Sequence, residues 1–279
     1  MTNPAAELRD RALAFRSLHV PGRPLILPNA WDAASARLVE DAGAAAVATT
    51  SAGVAWVLGA ADGEGLDRGR ALRAVTQIAG AVRVPVTADI ESGYAQDPAG
   101  VGDTVRAVLA AGAVGVNIED APHGTGGGPL RPAGEQAERI AAARAAADGA
   151  GVPLFVNARV DTFLCGAGGV DDTVERAAAY LAAGADGIFV PGTVDPGTVK
   201  ELAGRIDAPL NVMAGPGAPP AAELAALGVA RVSVGSGIAQ AAHALVRRAA
   251  RELLDDGTYE AQAGGLAYGT LNALMAEAR

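Results

Sequence analysis

Three short stretches place polar and acidic residues two apart: Thr87-Ala88-Asp89-Ile90-Glu91, Asn117-Ile118-Glu119 and Asn157-Ala158-Arg159-Val160-Asp161. Alternate side chains of an extended strand share a face, so each stretch presents one polar row. If the rows face one another, Asp89, Glu91 and Glu119 converge, and carboxylates that close need a cation to stay ionised. All-oxygen ligation suits a hard ion, Mg²⁺ or Mn²⁺, which keeps several waters and takes one or two carboxylates directly. Taken singly, each acid could instead cap a helix or pair with an arginine. For Asp120 and Asp161 that reading stands level with a functional one.

Arg159 has the planar fork that recognises a carboxylate bidentately, and it is the natural counter-ion of an acidic substrate. Its alternative is a salt bridge to Glu119 or Asp161. Ser51-Ala52-Gly53 follows an apolar run directly, and its backbone N–H groups and hydroxyl could form an anion-binding nest. The glycine-rich stretch 121–132 reads equally as a closing lid or as a surface turn, and it carries His123, a candidate acid or base. With three histidines in the chain, a histidine metal site is not expected. Cys165 has no histidine motif beside it and reads as an inert thiol. The single lysine, Lys200, lies in a stretch that reads as a solvent-facing helix opened by Asp195 and Pro196. Schiff-base chemistry, which needs a desolvated amine, is therefore not expected.

These residues need a scaffold. Eight β-type runs recur, at 24–30, 44–50, 84–90, 114–120, 154–160, 187–192, 209–215 and 229–235. Alanine-rich segments with helical spacing separate them. Gly43, Gly112, Gly184 and Gly228 stand just before a run, where a helix C-terminus wants a residue able to adopt positive φ. Eight strands alternating with helices imply parallel pairing and a closed (β/α)₈ TIM barrel of the α/β class. The rival is a doubly wound open sheet, which would favour a dinucleotide glycine fingerprint that the first run, ending in Pro-Asn-Ala, lacks. In such a barrel the C-terminal ends of the strands carry the chemistry, and the polar rows cluster there. Residues 4–18 read as an extra N-terminal helix and 258–278 as a C-terminal helical extension. Residues 1–279 are expected to form one domain, with 237–279 as its extension.

Composition sets outer limits. The chain has 279 residues, 50% hydrophobic and 19% charged, which is a globular profile. A formal charge of −9 without a Lys/Arg cluster argues against a nucleic-acid partner. One cysteine precludes an internal disulfide and points to a reducing compartment. No run reads as a membrane span, and the charged N-terminus does not read as a signal peptide. A cytoplasmic location without membrane contact is the expectation.

The stretches LPNAWDAASARLVEDAGAAAVATTSAGVA, LGAADG, VPVTADIESGY, GVNIED and VNARVDTF resemble the isocitrate lyase/phosphoenolpyruvate mutase superfamily over roughly residues 24–240. The resemblance implies Asp89 as a direct Mg²⁺ ligand, with Asp62, Glu91 and Glu119 reaching the metal largely through water. It also implies that Ser51, Ala52 and Gly53, with Asp89, Arg159 and Asn211, hold the substrate. Arg159, Glu119 and His123 are the candidate catalytic groups. Members typically form tetramers that exchange C-terminal helices, so a homo-oligomer is expected. Two departures stand out. The Lys-(Lys/Arg)-Cys-Gly-His loop of the isocitrate-cleaving lyases is replaced by Pro122-His123-Gly124-Thr125-Gly126, and Glu91 replaces the second aspartate of the usual Asp-x-Asp pair. The implied function is a Mg²⁺-dependent lyase that cleaves a C–C bond of a small 2-oxo or 2-hydroxy carboxylate through a metal-stabilised enolate. Oxaloacetate decarboxylation and cleavage of a substituted malate are the candidate reactions. The rivals are a phosphonopyruvate mutase or hydrolase acting on a P–C bond, and a 2-oxo acid-binding barrel with little turnover.

Overall fold

The computed structural model describes residues 4–123 and 129–276. The first β-type run divides at Pro28 into β1 (Leu25–Leu27) and β2 (Asn29–Ala30). The other runs give one strand each: β3 (Val47–Thr49), β4 (Val86–Asp89), β5 (Gly115–Glu119), β6 (Phe155–Arg159), β7 (Gly187–Val190), β8 (Leu210–Met213) and β9 (Arg231–Ser233). All pair in parallel, in the order β1-β9-β8-β7-β6-β5-β4-β3-β2. The order begins and ends on the same run, so the sheet closes into the expected α/β barrel and the open-sheet rival falls away. Nine segments appear where eight were expected because proline has no N–H to give. The run changes partner at Pro28, from β9 on one side to β3 on the other, and the Pro28 carbonyl still accepts from Ala48 N–H at 3.3 Å.

The helices are α1 (Pro4–Ser17), α2 (Ala33–Asp41), α3 (Ser51–Val57), α4 (Arg68–Ala81), α5 (Pro98–Ala110), α6 (Ala133–Gly149), α7 (Val170–Ala182), α8 (Pro196–Arg205), α9 (Ala221–Ala226), α10 (Gly237–Asp255) and α11 (Tyr268–Ala276). Asp32, Asp67, Asp97 and Asp195 each accept a backbone N–H of the helix they precede, which closes off a group the helix cannot satisfy itself. At the other end, Gly43, Gly112, Gly184 and Gly228 take φ between +91° and +103°, as their placement predicts. Each pairs its N–H with a helix carbonyl and is followed by a residue whose N–H reaches the carbonyl one residue earlier, as in Gly43 to Glu40 (2.9 Å) and Ala44 to Val39 (3.3 Å). Lys200 is exposed on α8, again as expected.

The barrel interior is layered. Helix α1 closes the N-terminal mouth. Fully buried Phe15 meets His19 and Phe155 edge-on, and the His19 ring stacks on Phe155 at 3.9 Å. Gly115 faces this plug, and a Cβ there would lie 2.7 Å from Phe15, so the close approach requires glycine. Above the plug lies a polar layer. Buried Arg231 donates from Nη2 to Asn117 Oδ1 at 3.3 Å, and Asn157 Nδ2 donates to the same oxygen at 2.8 Å. Beyond it the C-terminal mouth opens on the residues singled out above. Helix α10 leaves Leu245, Val246, Leu253 and Leu254 exposed. Among the described residues, no helix is long and apolar enough to cross a membrane.

Candidate active site

A cavity of about 150 Å³ occupies the C-terminal mouth. Asp62 and Asp89 line it together with Thr50, Ser51 and Ala52, at the start of α3. Asn117, Arg159, Phe189, Met213, Ser233 and Asn29 complete its walls, and Gly235 and Ser236 its rim. The strands thus bring together four of the expected site residues outside the anion-binding turn's glycine: Ser51, Ala52, Asp89 and Arg159, with Asp62 arriving from the loop before α4.

Asp89 ends β4. Its backbone N–H donates to Thr49 Oγ1 at 2.8 Å, and among the described residues its carboxylate accepts from two backbone groups, Glu91 N at 3.2 Å and Ser51 N at 3.5 Å. Burial, reinforced by the nearby Glu119 charge and opposed by Arg159, pushes its pKa up to about 6. Glu119 is tied differently. It pairs with Arg159 Nη1, and its other oxygen lies 2.6 Å from His123 Nε2. Burial opposes its ionisation, yet the Arg159 and His123 interactions hold its pKa below the usual range. The hydrogen bond to Glu119 in turn raises the His123 pKa against the effect of burial.

Arg159 also donates from Nε to Asp161 Oδ1 at 2.7 Å. Both salt bridges weighed from the sequence therefore exist. They use Nη1 and Nε, and no hydrogen bond among the described residues engages Nη2. Burial pushes the Asp161 pKa up to about 7 against the pull of Arg159. Asp120 is structural. Fully buried, it accepts from Tyr180 Oη at 2.8 Å, Arg176 Nη1 at 3.1 Å and Asp161 N at 2.9 Å, and so ties β5 to β6 and α7.

The strand-parity expectation fails for Glu91. Strand β4 stops at Asp89, and Glu91 adopts φ +49°, so alternation no longer fixes its direction. Its carboxylate turns into the neighbouring loop, accepting from the Glu64 N–H and from Tyr94 Oη at 2.7 Å, with His123 Nε2 at 3.6 Å. Burial raises its pKa to about 7 despite these donors. Among the described residues, no three His, Cys, Asp or Glu side chains form a ready metal cage. The anticipated convergence of Asp89, Glu91 and Glu119 on one point is therefore replaced by one cavity-facing carboxylate with two others engaged by protein donors.

Asn211 does not line the cavity. It lies one layer below and donates to Ser233 Oγ at 3.1 Å, which does line it. Gly53 is likewise behind the wall, where a Cβ would stand 2.8 Å from both Trp31 Cβ and Thr50 Cγ2. Its small size serves close packing, and Thr50 Oγ1 accepts its N–H at 3.5 Å. Cys165 is exposed, with a thiol pKa pushed up by burial of its sulfur, consistent with an inert group. The expected lid at 121–132 includes residues 124–128, which lie outside the described residues. The sequence reading missed Asn29, Phe189, Met213 and Ser233. Parity could have found Ser233, two residues beyond Arg231 on one strand face, because Arg231 in an otherwise apolar run marks the inward side.

The donor set fits a hard divalent cation. Asp89 presents oxygen lone pairs to a small polar cavity, its carboxylate lacks a full counter-charge, and Asp62 lines the same cavity, close enough for its charge to act on Asp89.

A parallel eight-run barrel with acids and one arginine at its C-terminal mouth is the layout of a TIM-barrel enzyme. The sequence matches the phosphoenolpyruvate phosphomutase family over residues 15–254. The chain belongs to that family, within the isocitrate lyase/phosphoenolpyruvate mutase superfamily, whose members are lyases and mutases. A protein of Burkholderia cenocepacia J2315 of solved structure is 40% identical, with a TM-score of 0.89 over 98% of each chain. The oxaloacetate decarboxylase of Chromohalobacter salexigens is 30% identical over 274 residues, covering 92% of this chain and 91% of that one. A phosphonopyruvate hydrolase solved with oxalate and Mg²⁺ is 27% identical, with a TM-score of 0.82 over 95% of this chain and 94% of that one.

Proposed function

We propose that this protein is a Mg²⁺-dependent lyase that cleaves a C–C bond of a small 2-oxo or 2-hydroxy carboxylate, with oxaloacetate and substituted malates as the candidate substrates. The observation that carries this reading is Asp89 facing a cavity of about 150 Å³ that also presents Arg159 and the Ser51–Ala52 turn. That space suits a small acid rather than a nucleotide. Asp89 would hold the ion together with Asp62, the other acid of the cavity wall. A bound divalent ion would supply the positive charge that stabilises the negative charge developing on the substrate as the bond breaks.

The chain's own residues do the rest. Arg159 Nη2, the Ser51 hydroxyl and the Ala52 N–H would orient the substrate carboxylate, and Asn211 steadies Ser233 in the cavity wall. Phe189 and Met213 keep one wall apolar. In a decarboxylation the C3–C4 electron pair passes toward C2, carbon dioxide leaves, and a proton is delivered to C3. His123, 2.6 Å from Glu119 beside the cavity-lining Arg159, would be the acid of that step. The 30% identity to an oxaloacetate decarboxylase over nearly the whole chain supports this choice.

A second reading, P–C bond cleavage, is favoured by the likeness to phosphonopyruvate hydrolase. Incubation with Mg²⁺ and a panel of oxaloacetate, substituted malates, isocitrate and phosphonopyruvate separates them. Sustained pyruvate or glyoxylate formation supports the lyase. Faster phosphate release from phosphonopyruvate would replace it with the P–C enzyme. Binding without turnover of any panel member would leave the third reading, a 2-oxo acid-binding barrel.

The same reading includes a cytoplasmic tetramer with exchanged C-terminal helices. Its support is the apolar face of α10, with Val246 and Leu254 exposed, and a groove outside β1 where Ile26 is uncovered between Leu18 and Val39. Light scattering on the parent and on Val246→Glu/Leu254→Glu tests it, dissociation of the double variant being the expected result.

A further inference from the structure

We propose that Glu64 and Tyr94 are positioning residues which, through Glu91, clamp the Asp62 loop onto the cation-binding end of the barrel. The inference rests on the reading of Asp62 and Asp89 as the residues that face the ion.

Three hydrogen bonds join the loop at 60–66 to the turn at 91–94 in reciprocal fashion, and a fourth, inside the turn, fixes Glu91 against Tyr94. The Glu64 N–H donates to Glu91 Oε2, and Tyr94 Oη donates to Glu91 Oε1 at 2.7 Å. In the other direction, Tyr94 N and Ser92 Oγ donate to Glu64 Oε1 at 3.0 and 2.6 Å. Each segment's carboxylate is thus bound by the other's backbone, so neither segment can shift alone.

Backbone geometry singles out the same residues. Glu64, Glu91 and Tyr94, at φ +58°, +49° and +50°, are the non-glycine residues with positive φ among the described residues. L-residues disfavour that region and occupy it where surrounding contacts over-determine the conformation. Here the contacts are those four hydrogen bonds.

The turn is the anchored side. Buried Arg139 on α6 donates from Nη2 to the carbonyls of Ser92 and Ala95, each at 2.7 Å. The loop is the side being held. Asp62 is exposed, and no side-chain hydrogen bond among the described residues fixes it, so its place at the cavity depends on Glu64 two residues on. This accounts for a glutamate where the family pattern has aspartate. The carboxylate of Glu91 meets both Glu64 N and Tyr94 Oη, and a side chain one methylene shorter would draw it back from both donors.

The test uses the full chain and two readouts, hydrogen–deuterium exchange over residues 60–66 and calorimetric titration with Mg²⁺ alone, on the parent, Glu64→Ala, Glu64→Gln and Glu91→Asp. Glu64→Ala and Glu91→Asp are expected to exchange about tenfold faster in that segment. In Glu64→Ala, Mg²⁺ binding is expected to weaken about threefold to tenfold, with the KM for Mg²⁺ raised and kcat at saturating metal within about twofold of the parent. Glu64→Gln keeps an oxygen that accepts the same two bonds and is expected to match the parent in both readouts. Parental exchange in 60–66, or parental Mg²⁺ affinity, in Glu64→Ala would overturn the proposal. The exchange measurement needs neither metal nor substrate. A parent protein that turns over no oxo acid would therefore sink the lyase reading and leave the clamp standing.

Discussion

The two mouths of the barrel are built from the same strands, and they handle buried polarity in opposite ways. At the N-terminal mouth α1 seals the axis with Phe15, His19 and Phe155, and the one ionisable ring there is kept neutral. Burial, with Arg231 nearby, lowers the His19 pKa to about 3. At the C-terminal mouth the acids stay, and burial raises them, Asp89 to about 6 and Glu91 and Asp161 to about 7. The closed end removes charge in favour of aromatic packing. The open end keeps charge that a ligand can satisfy. One barrel therefore separates the part that holds the fold together from the part that does chemistry.

The sharpest way to break this contrast is to alter one residue at each end. Asp89→Asn is expected to abolish Mg²⁺ binding in calorimetry and to lower turnover at least about 10³-fold, with the fold intact by circular dichroism. Phe15→Ala should do the reverse. It should lose about 3–5 kcal/mol in urea denaturation, with kcat per folded molecule close to the parent's.

The pH dependence of the metal-free protein sharpens the comparison further. Asp89 binds its proton more tightly when folded, so its contribution to stability is present below pH 3.8 and is lost as pH rises through about 6. His19 binds its proton less tightly when folded, so its contribution is present above pH 6.5 and is lost as pH falls toward about 3. The two slopes oppose each other between about pH 4 and 6. Asp89→Asn should make the slope of stability against pH more positive in that window, by up to about 1.4 kcal/mol per unit. An unchanged slope in denaturant titrations would mean the two ends do not differ as described. The smallest effect belongs outside both mouths. Lys200→Ala, on the exposed face of α8, should change stability by less than about 0.5 kcal/mol and leave kinetics unaltered.

Much of this was legible before any coordinates. Local rules govern strand runs, helix-ending glycines and aspartate caps, so Gly43, Gly112, Gly184 and Gly228 marked their junctions correctly, and parity placed Asp89, Glu119 and Arg159 inward. What escaped depends on partners far away in the chain. Parity says nothing once a strand ends, so the turn of Glu91 toward Glu64 could not be read from spacing. His19 looks like any histidine until Phe15 and Phe155 enclose it. Asn211 sits on the correct strand face, but one layer too deep to touch the cavity, because the tilt of barrel strands shifts each level relative to its neighbour.

The partner change at Pro28 also bears on how the molecule is made. The run at 25–30 has its β3 partner about 20 residues on in the chain, but its other neighbour begins at Arg231, about 200 residues later. At about 5–20 residues per second, that leaves one flank of the nascent sheet without a neighbour for about 10–40 s. An unpaired parallel edge is a template for mispairing. The short segments on either side of Pro28, and the missing N–H between them, make that waiting edge a poor one to copy.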